Sequence, residues 1–107
     1  MTDSITKLLL QLGIRSTYYG FRYLSYALEL CLQDEHYLTS VYKTLYSEVA
    51  EKFGTSCYNV EHCIRTVISY CWDRGNRDFL ITIAGYQLSE RPTNSEFIDI
   101  LYHYLEA

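Results

Sequence analysis

From residue 60 to residue 72 the apolar side chains recur at spacings of three and four: Val60, Cys63, Ile64, Val67, Ile68, Cys71 and Trp72. A period of about 3.6 residues puts them all on one face, so the stretch predicts a helix that buries them. Ser56 or Thr55 is its expected N-cap and Gly75 its stop. The same period runs through most of the chain. Ile5, Leu8, Leu9 and Leu12 form a stripe behind a Ser4 cap, closed by Gly13. Phe21, Leu24, Leu28 and Cys31 define a second helix, from 16 or 17 to 32, with Gly20 inside it as a sign of close packing or a delayed start. Asp34 is the expected cap of a third, 35–45, burying Tyr37, Leu38, Val41 and Leu45. A short fourth, 47–53, ends at Gly54. Beyond Gly75 a short helix over 78–84 precedes Gly85. Thr93 or Asn94 then caps a last helix carrying Phe97, Ile98, Leu101 and Leu105. No alternating strand pattern and no repeat appears. The expectation is an all-α fold, a compact bundle of six to seven helices forming a single domain over 1–107.

Composition narrows the class. The apolar fraction is 49% and the aromatic fraction 16%, with twelve tyrosines, which excludes a disordered chain. No apolar run approaches the ~20 residues that span a bilayer, and 1–12 lacks the features of a secretory signal, so a cytoplasmic setting without a membrane partner is expected. The opening MTDSITK has the character of a native start. Cys31, Cys57, Cys63 and Cys71 show no metal-ligand spacing and are expected to be reduced thiols acting as small hydrophobes, with no disulfide, metal or cofactor. Net charge is −4, a poor match to bulk nucleic-acid affinity. The charge is unevenly spread, however. Residues 41–77 hold five basic and four acidic side chains, a balance of +1, which leaves −5 for the remainder. A nucleic-acid face therefore belongs in the middle of the chain.

The window 46–65 has the organisation of a helix-turn-helix: two short-linked helices, Ala50 where crossing helices need a small residue, and Gly54 at the turn. Val49, Phe53, Thr55, Val60 and Cys63 take the inward positions. The second helix would then present Ser56, Cys57, Tyr58, Asn59, Glu61, His62, Arg65 and Thr66 to a major groove. Arg65 suits guanine and Asn59 suits adenine, while Glu61 can accept from cytosine or orient a neighbouring Arg or His, bracing Arg65 through an i, i+4 ion pair. Ser56 and the free amides at the helix start suit a phosphate. Lys43, Lys52 and Arg91 are the candidates for sequence-independent backbone contacts.

Most of the chain, from Leu8 to the last helix, resembles the C-terminal effector domain of the sporulation master response regulator family of endospore-forming Firmicutes. The residues that carry the likeness are LYSEVAEKF, Glu61 and Arg65, the W-x-RGN run (Trp72, Arg74, Gly75, Asn76) and PTNSEFI, 92–98. The resemblance implies an all-α fold with a variant helix-turn-helix. It also implies sequence-specific binding to double-stranded DNA, commonly in tandem copies, and control of transcription. Apart from the resemblance, a homodimer or tandem assembly on DNA and a contact with RNA polymerase are the expected partners. The departures lie on the same face. Where the family typically has arginines this chain has Asn59 and His62, and where it has a histidine this chain has Thr66. The loop before PTNSEFI is shorter and offers only Arg91. The family's phosphoacceptor receiver domain has no counterpart in these residues.

Two functional readings follow. One is a DNA-binding transcriptional regulator. The other is an interaction module on the same fold, which has lost DNA binding and dimerises or contacts a relative or polymerase. It is motivated by the acidic balance, the missing arginines and more tyrosines than so small a core can bury. An enzyme is not expected: no nucleophile, base and orienting group share an ordered motif, and no Gly-rich phosphate loop is present.

Overall fold

The computed structural model describes residues 2–107. Six α-helices follow in order: α1 Thr2–Gln11, α2 Tyr19–Gln33, α3 Tyr46–Phe53, α4 Cys57–Asp73, α5 Arg77–Ala84 and α6 Asn94–Glu106. Among the described residues there is no strand, and no helix is long and apolar enough to cross a membrane. The expected bundle is present.

The apolar stripes meet as their spacing demands. Ile5, Leu8, Leu9 and Leu12 of α1, Leu24 and Leu28 of α2, Ile64 and Ile68 of α4, and Phe97 and Leu101 of α6 are all essentially inaccessible. Helices α2 and α4 are the central pair. The first packs against α1, α3, α4 and α6, the second against α2, α3, α5 and α6. Their crossing is close because of Gly20. A Cβ placed there would lie 2.3 Å from the Cys63 carbonyl oxygen and 2.7 Å from a Val67 methyl. That carbonyl belongs to the α4 backbone and cannot rotate aside, so only glycine permits this approach.

A second tie joins the far ends of α1 and α4. The Asn76 backbone N–H donates to the Leu12 carbonyl at 3.0 Å, and its side-chain amide donates to the Gln11 carbonyl at 3.2 Å. The same side chain accepts from Phe79 N–H at 3.1 Å and so caps α5. Asn76 thus satisfies orphan groups of two helix ends at once. Thr93 closes a capping box on α6: its hydroxyl accepts from Glu96 N–H, and the Glu96 carboxylate accepts from Thr93 N–H.

Several expectations need correction. Helix α1 starts at Thr2, so Ser4 lies within its first turn rather than capping it. The third helix does not form as one α-helix. Glu35–Thr39 is a 3₁₀ turn and Val41–Leu45 a π turn, divided at Ser40. Side-chain hydroxyls compete with helical bonding here: Thr39 Oγ1 donates to the His36 carbonyl at 2.8 Å, and Thr44 Oγ1 to Ser40 Oγ at 3.0 Å. The Asp34 cap does form, accepting from His36 N–H. The break leaves Tyr37, Leu38 and Val41 half-buried, and only Leu45 of the expected four is in the core. Trp72 is also half-buried. The Arg77 guanidinium lies 4.5 Å from its ring centroid, and Arg77 Nε donates to the Trp72 carbonyl at 2.8 Å, so one side of the indole packs on the core and a cation covers the other. Cys63 is half-buried where full burial was expected.

Two tests follow from the packing. Gly20→Ala should destabilise the protein by roughly 2 kcal/mol or more, the scale of overpacking against an unyielding neighbour, read from urea unfolding. The second concerns alkaline pH. Burial pushes the Cys31 thiol from 9.0 up to about 12 and the Cys71 thiol up to about 11. Burial likewise pushes the Tyr46 phenol from 10.0 up to about 12. The folded state therefore holds these protons where the unfolded chain releases them. Stability should be complete below about pH 9 and fall as the pH rises toward 12, with Cys31→Ala flattening the fall. Urea midpoints measured across that range check both points.

Candidate nucleic-acid interface

Helix α3 ends at Gly54, which adopts the left-handed conformation (φ 66°, ψ 40°). Nothing lies within 4 Å of where its Cβ would be, so the requirement is conformational rather than steric. The turned chain lets Thr55 N–H donate to the Ala50 carbonyl at 2.9 Å, closing α3. Ser56 then caps α4, its hydroxyl accepting from Asn59 N–H at 3.1 Å. Two helices joined by Gly54, Thr55 and Ser56 are the expected arrangement, with Val49, Ala50 and Val60 buried beneath it. Phe53 departs from it. It was expected inward, but it is 38% exposed and packs against the rings of Tyr23 and Tyr26 at the edge of α2.

The candidate reading residues of α4 separate into three groups. Asn59 faces inward. Its side-chain amide donates to Thr55 Oγ1 at 2.9 Å and lies 3.4 Å from Tyr23 Oη, while Cys63 Sγ approaches its carbonyl oxygen at 3.6 Å. Its donors are spent on the turn and on α2. Cys57 is likewise drawn in, 3.3 Å from Ser47 Oγ of α3. These two depart from the outward positions expected of them.

The second group is Tyr58, His62 and Thr66. Tyr58 is 70% exposed, and its ring stacks on His62 with an interplanar angle of 10° and centroids 6.2 Å apart. Thr66 spends its hydroxyl proton on the His62 carbonyl at 3.0 Å. His62 and Thr66 border a shallow cleft whose other wall is the start of α2, at Tyr18, Tyr19 and Gly20.

The third group is Glu61 and Arg65. Arg65 Nε donates to Glu61 Oε2 at 3.0 Å, and Nη2 donates to the same oxygen. Arg65 is exposed and Glu61 half-buried. The hydrogen bond from Arg65 and its charge beside Glu61 hold the guanidinium pKa above its ordinary value, so it remains a fixed cation. The pair is braced from below, because Asn94 Nδ2 donates to the Glu61 backbone carbonyl at 3.0 Å.

The three outlying bases are placed differently. Arg91 joins the third group: its Nη1 donates to Ser69 Oγ at 2.7 Å, one turn beyond Arg65 on α4. Lys52 is directed toward α2, its ammonium 5.4 Å from the Tyr26 ring centroid. Lys43 is exposed on the π turn before α3. Sequence reasoning missed Asn94, Tyr42 and Tyr46, which line the cleft beside Arg65 and Arg91. Asn94 lies in the PTNSEFI likeness and Tyr46 in LYSEVAEKF, but their spacing suits a helix cap and a helix start, and nothing local marks Tyr42.

Among the described residues no cluster of His, Cys, Asp and Glu is placed to hold a metal ion. What α4 offers is an exposed, braced arginine, a second arginine beside it and a stacked aromatic pair on a helix entered through a capped turn. A family model described as "Sporulation initiation factor Spo0A C terminal" matches residues 5–105, nearly the whole chain. The chain belongs to this family of sporulation regulators, a family of DNA-binding effector domains rather than of enzymes.

Proposed function

We propose that this chain is a sequence-specific transcriptional regulator that lays α4 in the major groove of double-stranded DNA, with the N-terminal half of the helix against the bases. The observation that carries the reading is the Glu61–Arg65 pair. Fixing a guanidinium by an i, i+4 carboxylate before binding reduces the entropy lost when it docks bidentately on guanine. Tyr58, His62 and Thr66 add contacts on the other side of the helix. Asn59 has its amide committed to the turn, so it supports the helix start instead of reading adenine. Ser56 acts as cap, and Arg91, Lys43 and Lys52 supply backbone contacts. Tandem copies on repeated sites in the cytoplasm and contact with polymerase fit this role.

A second reading has its own support. Tyr19, 67% exposed, stacks on Tyr23, which meets Phe53, so an aromatic strip runs along α2 beside the turn. Tyrosine-rich strips are typical of protein interfaces. On this reading the chain acts by dimerising or by capturing a relative.

Selection from random duplex DNA, followed by titration of the enriched site, separates the two. Enrichment of a defined sequence is expected. Arg65→Ala should then cost ~1–3 kcal/mol on that site and relax preference at one base position, with thermal stability little changed. No enrichment at low salt, together with a stable dimer by sedimentation, would establish the interaction module instead.

A further inference from the structure

The cleft beside Arg65 has a volume of about 390 Å³ and lies where α4, the π turn and the start of α6 converge. Its lining is unusual in what it leaves unpaired. At the start of α6 the capping box occupies the Glu96 amide, and Phe97 N–H donates to the Thr93 carbonyl at 2.9 Å. The Asn94 and Ser95 amides stand ahead of both, at the positive end of a 13-residue helix, and both residues line the cleft. Arg65 and Arg91 bring two positive charges against the one negative charge of Glu61. The floor holds Tyr46. Its side chain is 1% exposed, and its hydroxyl makes no hydrogen bond of normal geometry. Asn94 Nδ2, which lies beside it, donates to the Glu61 carbonyl at 3.0 Å. A buried hydroxyl without a partner destabilises the fold, a cost that a polar ligand would remove.

We infer that this cleft is a phosphate site, in which the Asn94 and Ser95 amides, Arg91 and the Tyr46 hydroxyl donate to the phosphate oxygens. Helix N-termini joined to arginine are suited to such oxyanions. On DNA the occupant is a backbone phosphate flanking the base read by Arg65, and that arm rests on the regulator reading above. A free phosphate carries the same chemistry and is the other source.

The test uses the full chain and Tyr46→Phe, which removes one oxygen and leaves the ring in the core. Tyr46→Phe should keep or raise the thermal midpoint, since it deletes an unpaired buried hydroxyl. Inorganic pyrophosphate titrated into the wild type should shift the Asn94 and Ser95 amide resonances saturably. Tyr46→Phe should weaken that binding on the order of tenfold. On the selected DNA site it should weaken affinity by a similar factor without changing the salt slope, whereas Arg91→Ala should lower the slope by about 1. Pyrophosphate shifts that weaken in Tyr46→Phe, with no DNA bound by the wild type, support the site with a free anion as occupant and refute the regulator reading alone. A DNA effect without pyrophosphate shifts supports the backbone phosphate as occupant. Unmoved Asn94 and Ser95 resonances, together with unchanged DNA affinity in Tyr46→Phe, overturn the proposal.

Discussion

The approach of Gly20 to the Cys63 carbonyl sets the distance between α2 and α4, and the rest of the molecule is arranged around that crossing. With the two backbones this close, the apolar stripe of α4 reaches deep between α2 and α6, and Ile64 and Ile68 become fully buried. The opposite face of α4 is left to solvent at Tyr58, His62, Arg65 and Thr66. Packing of one face and exposure of the other are therefore one constraint seen from two sides. The Asn76 bonds to the end of α1 keep the far end of α4 from pivoting about the crossing.

The exposed face of α4 is electrostatically divided. Arg65 and Arg91 gather on the side toward α6, while the side toward α2 presents the Tyr58–His62 stack and no fixed cation. In a chain of net charge −4, such concentration matters more than the sum. Phosphate attraction works over about one Debye length, ~8 Å at physiological salt, so two adjacent arginines act together while distant carboxylates are screened. Family positions that typically carry arginine hold Asn59 and His62 here. One is folded into the turn and the other stacked on tyrosine, so the exposed positive charge of this face gathers on the α6 side.

The break between the 3₁₀ and π turns has a related consequence. An uninterrupted helix over this stretch would turn Leu45 and Tyr46 through regular steps. The π turn instead widens the backbone by one residue, with Tyr46 N–H bonded to the Val41 carbonyl, and both Leu45 and Tyr46 are at most 1% exposed. That places a phenol under the cleft beside Arg65. Single-turn π geometry often accompanies functional sites because it reorients side chains that a regular helix would place elsewhere.

The sequence by itself determined the helices whose signals are local. The three-and-four spacing of α1, α2, α4 and α6 needs no partner to be read, and neither do caps such as Ser56 and Thr93 or the left-handed turn at Gly54. The Glu61–Arg65 pair was equally legible, because i, i+4 neighbours on a helix meet whatever surrounds them. Tertiary structure decided the rest. The stretch 35–45 carries a helical pattern, yet competing hydroxyls and the demand to bury Leu45 and Tyr46 together split it. Phe53 fits an inward position by spacing, but α2 offers it a rim of tyrosines rather than core. Asn59 is indistinguishable from a reading residue until Thr55 and Tyr23 are seen to claim its amide. Tyr46, Arg91 and Asn94 become one cleft only because α6 returns across α4. Periodicity records which face of a helix is apolar, but it holds no information about what the opposite face will meet.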